Sequence, residues 1–393
     1  MKKVPANLPV PSTAALAHSQ QLRHAMQKEI IAQGGMITFT RFMELALYAP
    51  ALGYYSAGSH KLGEQGDFMT APEITPLFAR CLARQCQQVL TECKDGSILE
   101  LGGGSGKLAL DLLLALEQQN CLPQTYYLLE VSADLRQRQQ QLLQTQAPHL
   151  IDKIQWLDQL PATPFNGVII ANEVLDAMPV QRFHASSAGI QEFYVACENE
   201  EFVWRLGTLN TPTAAEQIKH CFTELPDEEY ISEINPLLPA FINSLSQCLQ
   251  KGLILLVDYG FPRHEYYHPD RSMGTLMCHY RHHAHVDPLI LVGLQDITAH
   301  VDFTAVAEAA VAADLQVAGF TNQAAFLLNC GLLDLAVLEQ GDNAQQQMQV
   351  SRQIQLLTSP AEMGELFKVL ALTKNLDDSL LLGFYSHDQR ARL

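Results

Sequence analysis

Three glycines set one residue apart, Gly102, Gly104 and Gly106, lie between an apolar pentapeptide (SILEL, 97–101) and the helix-like run KLALDLLLALEQQ. Glycines in this position permit a tight turn and a close approach of backbone to ligand, with amide N–H groups gathered at a helix start. Spacing sorts the ligand classes. A phosphate loop needs G-x-x-x-x-G-K followed by Ser or Thr. Here the residue five before Gly106 is Leu101, and Leu108 follows Lys107. The dinucleotide pattern G-x-G-x-x-G, counted from Gly102, meets Lys107 where it needs glycine. Shifted to Gly104 and Gly106 it ends on Ala109, which only the looser form accepts.

The same glycines satisfy a fuller pattern, E-x-G-x-G-x-G from Glu100 to Gly106, which fits motif I of class I methyltransferases. Glu130, at the end of the next strand, strengthens a nucleoside reading. A carboxylate there accepts hydrogen bonds from both ribose hydroxyls. Glu100 is a candidate to face the ligand's ammonium group, and Asp158 falls either near the adenine or in a solvated loop. A fourth strand ends in Ala171-Asn172-Glu173, with Asp176 close behind. Ligand crevices of open α/β sheets lie at the carboxyl ends of the strands. Asn172, Glu173 and Asp176 are therefore the candidates for the reacting centre, against the alternative that Glu173 and Asp176 cap a following helix.

Such residues need a sheet to hold them. TYYLLEV (125–131), IQWL (154–157), FNGVIIA (165–171) and GLILLVDYG (252–260) read as strands alternating with helices. That alternation predicts an α/β fold with a doubly wound parallel sheet. The expected architecture is a Rossmann-like class I methyltransferase sheet with an N-terminal helical extension and an inserted α+β lobe. Helical spacing marks Leu22, Met26 and Ile30, then FTRFMELALYAP, and Pro72-Glu73 opens a long helix through Leu90. The insertion before GLILLVDYG contains QEFYVACENEEFVWRLG (191–207), which reads as a β-hairpin within a cap over the ligand edge. The His- and Pro-rich stretch 261–293 reads as irregular, 302–313 as a helix and LLGFYS (381–386) as a last strand. The expected division is 1–90 for the helical extension and cofactor-covering loop and 91–171 for the first half of the core. Residues 172–251 follow as the inserted region, and 252–393 as the second half with its His-rich loop.

Composition narrows the partners. Asp and Glu number 42 against 25 Lys and Arg, a net charge of −17. An acidic surface repels phosphate backbones, so a nucleic-acid substrate is disfavoured and a cationic one suits better. The nine cysteines, at 81, 86, 93, 121, 197, 221, 248, 278 and 330, are scattered without a C-x-x-C pair, which fits a reduced compartment. After Lys2 and Lys3 come Pro5, Asn7 and Pro9 in place of an apolar or Arg-rich leader. No window approaches eighteen consecutive apolar residues. The expectation is a cytoplasmic protein without membrane insertion, its oligomeric state open, a homodimer being one option.

Several separate segments together resemble the MidA-type methyltransferases, a family that includes the mitochondrial complex I assembly-factor arginine methyltransferase and bacterial homologues. They are GYYSAG (53–58), GDFMTAPEITPLFA (66–79), LELGGGSG (99–106), ANEVLDAMPV (171–180), SEINP (232–236), LLVDYGF (255–261), GTLMCHYRHHAH (274–285) and QDITAHVDF (295–303). The resemblance implies a methyltransferase using S-adenosyl-L-methionine on a protein substrate, with an arginine of a respiratory complex I subunit as the family's acceptor. It implies that Gly66, Asp67, Thr70 and Glu73 belong to a loop closing over the cofactor, with Gly102, Gly104 and Glu130 as its main cradle.

A guanidinium is a poor nucleophile, and carboxylates can hold it by paired hydrogen bonds. Glu173 is the first choice for this task, with Asp176 or Glu233 as a second and Asp67 as an alternative. His279, His282, His283 and His285 stand beside Cys278, a composition that suits zinc. The block coincides with a family segment, however, and no metal is expected. His300 and Asp302 either pair or leave Asp302 as a helix cap. Two rival functions predict different behaviour: a non-catalytic assembly factor would bind the cofactor weakly, and a small-molecule methyltransferase would need a closed pocket. A nicotinamide dehydrogenase ranks third.

Overall fold

The structure, a computed structural model, describes residues 8–57, 70–222, 224–339, 343–376 and 380–393. The chain divides into two compact units. One comprises Met1–Phe68, Asp176–Leu238 and Arg263–His300, the other Met69–Leu175, Pro239–Pro262 and Val301–Leu393.

The second unit is the α/β one. Its strands β1 (Ser97–Leu101), β2 (Tyr126–Leu129), β3 (Ile154–Leu157), β4 (Phe165–Asn172), β5 (Leu249–Phe261), β6 (Gln316–Asn322) and β7 (Phe367–Lys374) lie in the order β3-β2-β1-β4-β5-β7-β6. The first five pair in parallel, and β7 runs antiparallel to both β5 and β6. Every residue of β1 is buried, as parallel strands covered on both faces must be. Helices α1 (Ala71–Ile74), α2 (Pro76–Glu92), α3 (Lys107–Gln118) and α4 (Ala133–Gln146) belong to this unit. Leu108, Leu112 and Leu116 of α3 share one core with Ile98, Val168 and Leu255 of the sheet.

Two expectations are corrected here. The long helix from Pro72 is broken at Thr75, which is extended at φ −164°, because the ring of Pro76 bars its predecessor from helical geometry. LLGFYS is no strand: Leu382–Phe384 form a 3-10 turn, and Phe384 is buried at 5.5 Å from the Phe326 ring. The antiparallel edge is built instead by β7 and β6.

The first unit holds an antiparallel sheet in the order Met36–Thr38, Gly189–Glu198, Gln181–Ser186, Tyr230–Ile234, with Glu201–Gly207 also paired to Gly189–Glu198. The expected hairpin is present, turning at Asn199 and Glu200 with φ 49° and 65°. Two positive φ values match the twist of the flanking strands. The stretch read as irregular forms a second hairpin, Met277–Tyr280 with His283–His285, through Arg281 and His282 at φ 47° and 62°. Sequence periodicity misses it because its strands are four and three residues long. Leu22, Met26 and Ile30 of the helix Thr13–Ala32 pack into one core with Phe39, Phe42 and Phe202.

Candidate cofactor site

Strand order reverses at β1, which has β2 on one side and β4 on the other. Such a switch point opens a crevice at the carboxyl ends of the strands. The glycine loop leaves β1 there. Gly102, Gly104 and Gly106 take φ of 63°, 52° and 88°, and Gly106 is the N-cap of α3. Side chains rarely adopt this left-handed backbone, so the conformation explains the glycines. A Cβ at Gly102 would meet only Val174 Cγ2, at 3.4 Å. The loop thus keeps room for a ligand beside Gly102, at the start of α3 where the helix dipole favours a carboxylate.

Carboxylates flank it. Glu130, 6 % exposed, follows β2 directly; its Oε1 accepts the Ser132 N–H at 2.8 Å and its Oε2 accepts Gln139 Nε2–H at 3.1 Å. Burial pushes its carboxyl up, and those donors pull it back. Glu100 is buried on β1, where Oε2 accepts the Tyr126 hydroxyl at 2.5 Å. Burial raises its pKa to about 7, against the pull of that bond. Glu73 in α1 accepts a hydrogen bond from Ser105 Oγ, tying α1 to the glycine loop. Thr70 occupies the N-cap position of α1 without a side-chain cap bond. Asp67 and Gly66 lie outside the described residues. Asp158 follows β3 with its side chain 86 % exposed, and its Oδ1 accepts Arg136 Nη2–H at 2.7 Å. The same guanidinium donates to the carbonyls of Glu130 and Leu157, clasping the ends of β2 and β3.

The end of β4 is held just as firmly. Glu173 takes φ 54°, and its N–H donates to Val257 O at 2.9 Å. Asp258 Oδ2 accepts the N–H groups of Val174 and Leu175 at 3.2 and 2.9 Å. No helix follows, so Glu173 and Asp176 cap none: the chain turns directly towards the strand Gln181–Ser186. Asn172 Nδ2–H donates to Glu173 Oε1 at 3.1 Å, while Asn172 Oδ1 is buried and accepts no hydrogen bond among the described residues. Asp176 belongs to the first unit, 5 % exposed, its backbone carbonyl accepting Ala299 N–H at 3.0 Å.

Sequence reasoning passed over Gln139, Asp258, Ser105 and Arg136. Gln139 carried a readable signal, since it occupies the buried stripe Leu135–Gln139–Leu143 of α4, and buried amides are there to be hydrogen-bonded. Asp258 interrupts the apolar run of β5 in the same way.

Glu233 has a fully buried side chain; Oε2 accepts the Thr275 N–H at 2.9 Å, and Oε1 lies 3.8 Å from Arg182 Nε. Arg182 stacks on Phe193 and Trp204. The geometry therefore makes Glu233 a partner of Arg182 within this unit, in place of the second guanidinium-holding carboxylate named above. Asp302 caps the helix Phe303–Ala312, accepting Ala305 N–H at 3.1 Å. Among the described residues no three His, Cys, Asp or Glu side chains gather as a metal site. Among them, too, no helix is long and apolar enough to cross a membrane.

A sheet ordered 3-2-1-4-5-7-6, with a glycine loop after its first strand and an acid after its second, defines the class I methyltransferases that bind S-adenosyl-L-methionine. Residues 81–321 match the S-adenosyl-L-methionine-dependent methyltransferase family, and the chain belongs to it. It is 42% identical to a Burkholderia thailandensis protein whose crystal structure holds S-adenosyl-homocysteine; the match covers 98% of this chain and 100% of that one, with a TM-score of 0.94. It is 30% identical to the mitochondrial protein arginine methyltransferase NDUFAF7 of Rattus norvegicus, over 89% of this chain and 84% of the relative. The Homo sapiens protein is likewise 30% identical, over 89% and 82%. The chain is a methyltransferase with S-adenosyl-L-methionine as cofactor, and the residues at the sheet edge fit that group: a left-handed glycine loop with space beside Gly102, and the acceptor oxygens of Glu130 for its sugar.

Proposed function

We infer that this chain methylates an arginine side chain of a protein, with Glu173 as the carboxylate that holds the guanidinium. The observation carrying this reading is the run of relatives named protein arginine methyltransferases that align with 89% of the chain. The edge of β4 supports it. Glu173 offers a carboxylate steadied by Asn172, and Asn172 Oδ1 adds a buried acceptor, so two neighbouring side chains accept N–H groups as a guanidinium requires. The net charge of −17 favours a cationic segment over a phosphate backbone.

When bound, the cofactor would supply an electrophilic methyl group, its S–C bond breaking as S-adenosyl-homocysteine leaves. Glu173 draws one guanidinium nitrogen into line by accepting hydrogen bonds from the others, and takes up the proton released once the new N–C bond has formed. Asp258 holds the turn that aims Glu173, through the two amides it accepts. Asp176 is proposed as a further acidic contributor, and Glu73, Thr70, Asp67, Glu100 and Asp158 as cofactor contacts. A respiratory complex I subunit is the candidate acceptor implied by the family resemblance. The relatives are named mitochondrial, so the cytoplasmic setting expected from the sequence stands as a proposal for fractionation to test.

The decisive experiment is label transfer. The protein is incubated with methyl-labelled S-adenosyl-L-methionine and extract from cells lacking it, and the labelled peptide is identified by mass spectrometry. Label on an arginine nitrogen is expected. Label confined to lysine, to a carboxylate or to a small molecule would overturn the reading.

A further inference from the structure

Both donors of the Gln139 amide and its oxygen are engaged, and every partner bears on the cofactor cradle. Its Nε2 donates to Gly104 O at 2.9 Å and to Glu130 Oε2 at 3.1 Å, and its Oε1 accepts Trp156 Nε1–H at 3.1 Å. The residue is 0% exposed. An amide has two donors on nitrogen, whereas an indole N–H can only donate. Trp156 therefore fixes which end of the amide faces which way: oxygen towards the indole, nitrogen towards the loop and Glu130. Gly106 records how closely α4 approaches, since a Cβ there would stand 3.1–3.2 Å from the carbons of Gln139. One amide thus joins three places at the sheet edge, namely the glycine loop, the acid after β2 and the indole of β3.

We propose that Gln139 is the positioning residue of the cofactor site, holding Glu130 and the Gly104 carbonyl in the register that grips the ribose of S-adenosyl-L-methionine. This rests on Glu130 being the sugar-binding acid. Ser132 N–H on Oε1 and Gln139 on Oε2 each occupy one site of a carboxylate that has about four. With the Val131 amide as a third donor, the carboxylate still has acceptor capacity for a sugar hydroxyl. Without Gln139, Glu130 would keep only the Ser132 and Val131 amides and the more distant Arg136 as stabilisers of its charge, with Glu100 opposing it. Its proton would then be held to higher pH.

The test uses the full chain and two probes, S-adenosyl-homocysteine and its 2′,3′-dideoxy analogue, titrated calorimetrically. Wild type is expected to bind the parent at least tenfold more tightly than the analogue. Gln139→Met should weaken the parent by tenfold or more and the analogue by threefold or less, with acid release of the parent moved to higher pH. Gln139→Glu keeps the shape and regains a donor only when protonated. It should bind the parent more tightly at pH 5.5 than at pH 8, the reverse of Gln139→Met, and this reversal survives as a readout if Gln139→Met fails to fold. Equal losses for both probes, or no loss, would overturn the positioning role alone. A wild type that ignores the missing hydroxyls would overturn the sugar-binding role of Glu130, and the proposal with it.

Discussion

Both units bury acidic side chains, but they use them differently. In the unit built from Met1–Phe68, Asp176–Leu238 and Arg263–His300, Glu233 is met by Arg182 and by the Thr275 amide, and Arg182 packs against two aromatic rings. The Glu233 charge faces a guanidinium of the same unit at 3.8 Å, close enough for an ion pair but not for a hydrogen bond between Oε1 and Arg182 Nε. At the carboxyl edge of the other unit, Glu173 sits in a left-handed conformation that few non-glycine residues adopt, beside a buried Asn172 oxygen that accepts no hydrogen bond among the described residues. The strained backbone is held there by Asp258, and the Glu173 side chain is met by the Asn172 amide. The contrast separates a carboxylate paired with a guanidinium of its own unit from one set on a strained turn, which we propose serves a ligand.

The largest expected effect breaks the ligand side of this contrast. Glu173→Gln retains shape and removes charge; kcat should fall on the order of 10²–10³-fold, as when one preorganised group is lost. Affinity for S-adenosyl-homocysteine should stay within about twofold. Kinetics and calorimetry on the same preparation would check both, and unchanged turnover would remove Glu173 from the reaction. The next effect breaks the structural side. Arg182→Met strands the Glu233 charge and should cost about 3–5 kcal/mol in denaturant unfolding. Adding Glu233→Gln to that variant should recover most of the loss, and a harmless Arg182→Met would show that the pair matters little.

Asp258→Asn tests the link between strain and function. It keeps the side-chain shape but turns charge-assisted bonds to Val174 and Leu175 into weaker neutral ones. A kcat loss of about tenfold with an unchanged KM for S-adenosyl-L-methionine is expected. A KM effect alone would instead place Asp258 with the cofactor. The smallest effect is a pH dependence at Glu100. Its folded pKa of about 7 lies above the ordinary carboxyl value, so the folded protein binds the extra proton between the two. Stability from this group is therefore present at pH 4–5 and lost as pH rises through 7. Glu100→Gln should gain thermal stability relative to wild type between pH 5 and 8, and parallel profiles would show that Glu100 is not the titrating group.

Much of the α/β unit was legible because its strands are long apolar runs and its glycine loop has a fixed spacing. Glu130 could be located by counting to the end of a strand. The placement of Glu173 was legible, but its left-handed turn was not, since that conformation depends on Asp258 about eighty residues away in sequence. LLGFYS misled because an apolar, β-prone hexapeptide is also what a buried 3-10 turn requires when Phe384 must fill a core position. β7, the strand that does complete the sheet, is buried at seven of its eight positions and lacks the alternation that would have marked it. Glu233 looked like Glu173 in sequence, and only the neighbouring Arg182 reveals its different task.

The most direct measurement is the affinity of Glu130→Leu for S-adenosyl-homocysteine beside that of wild type, by calorimetry on folded protein. One molecule bound per wild-type chain and at least a tenfold weakening in the variant are predicted, the loss of charged hydrogen bonds to the sugar being worth about 1.5–3 kcal/mol. A variant binding as tightly as wild type would contradict the assignment of this sheet edge as the nucleoside's cradle.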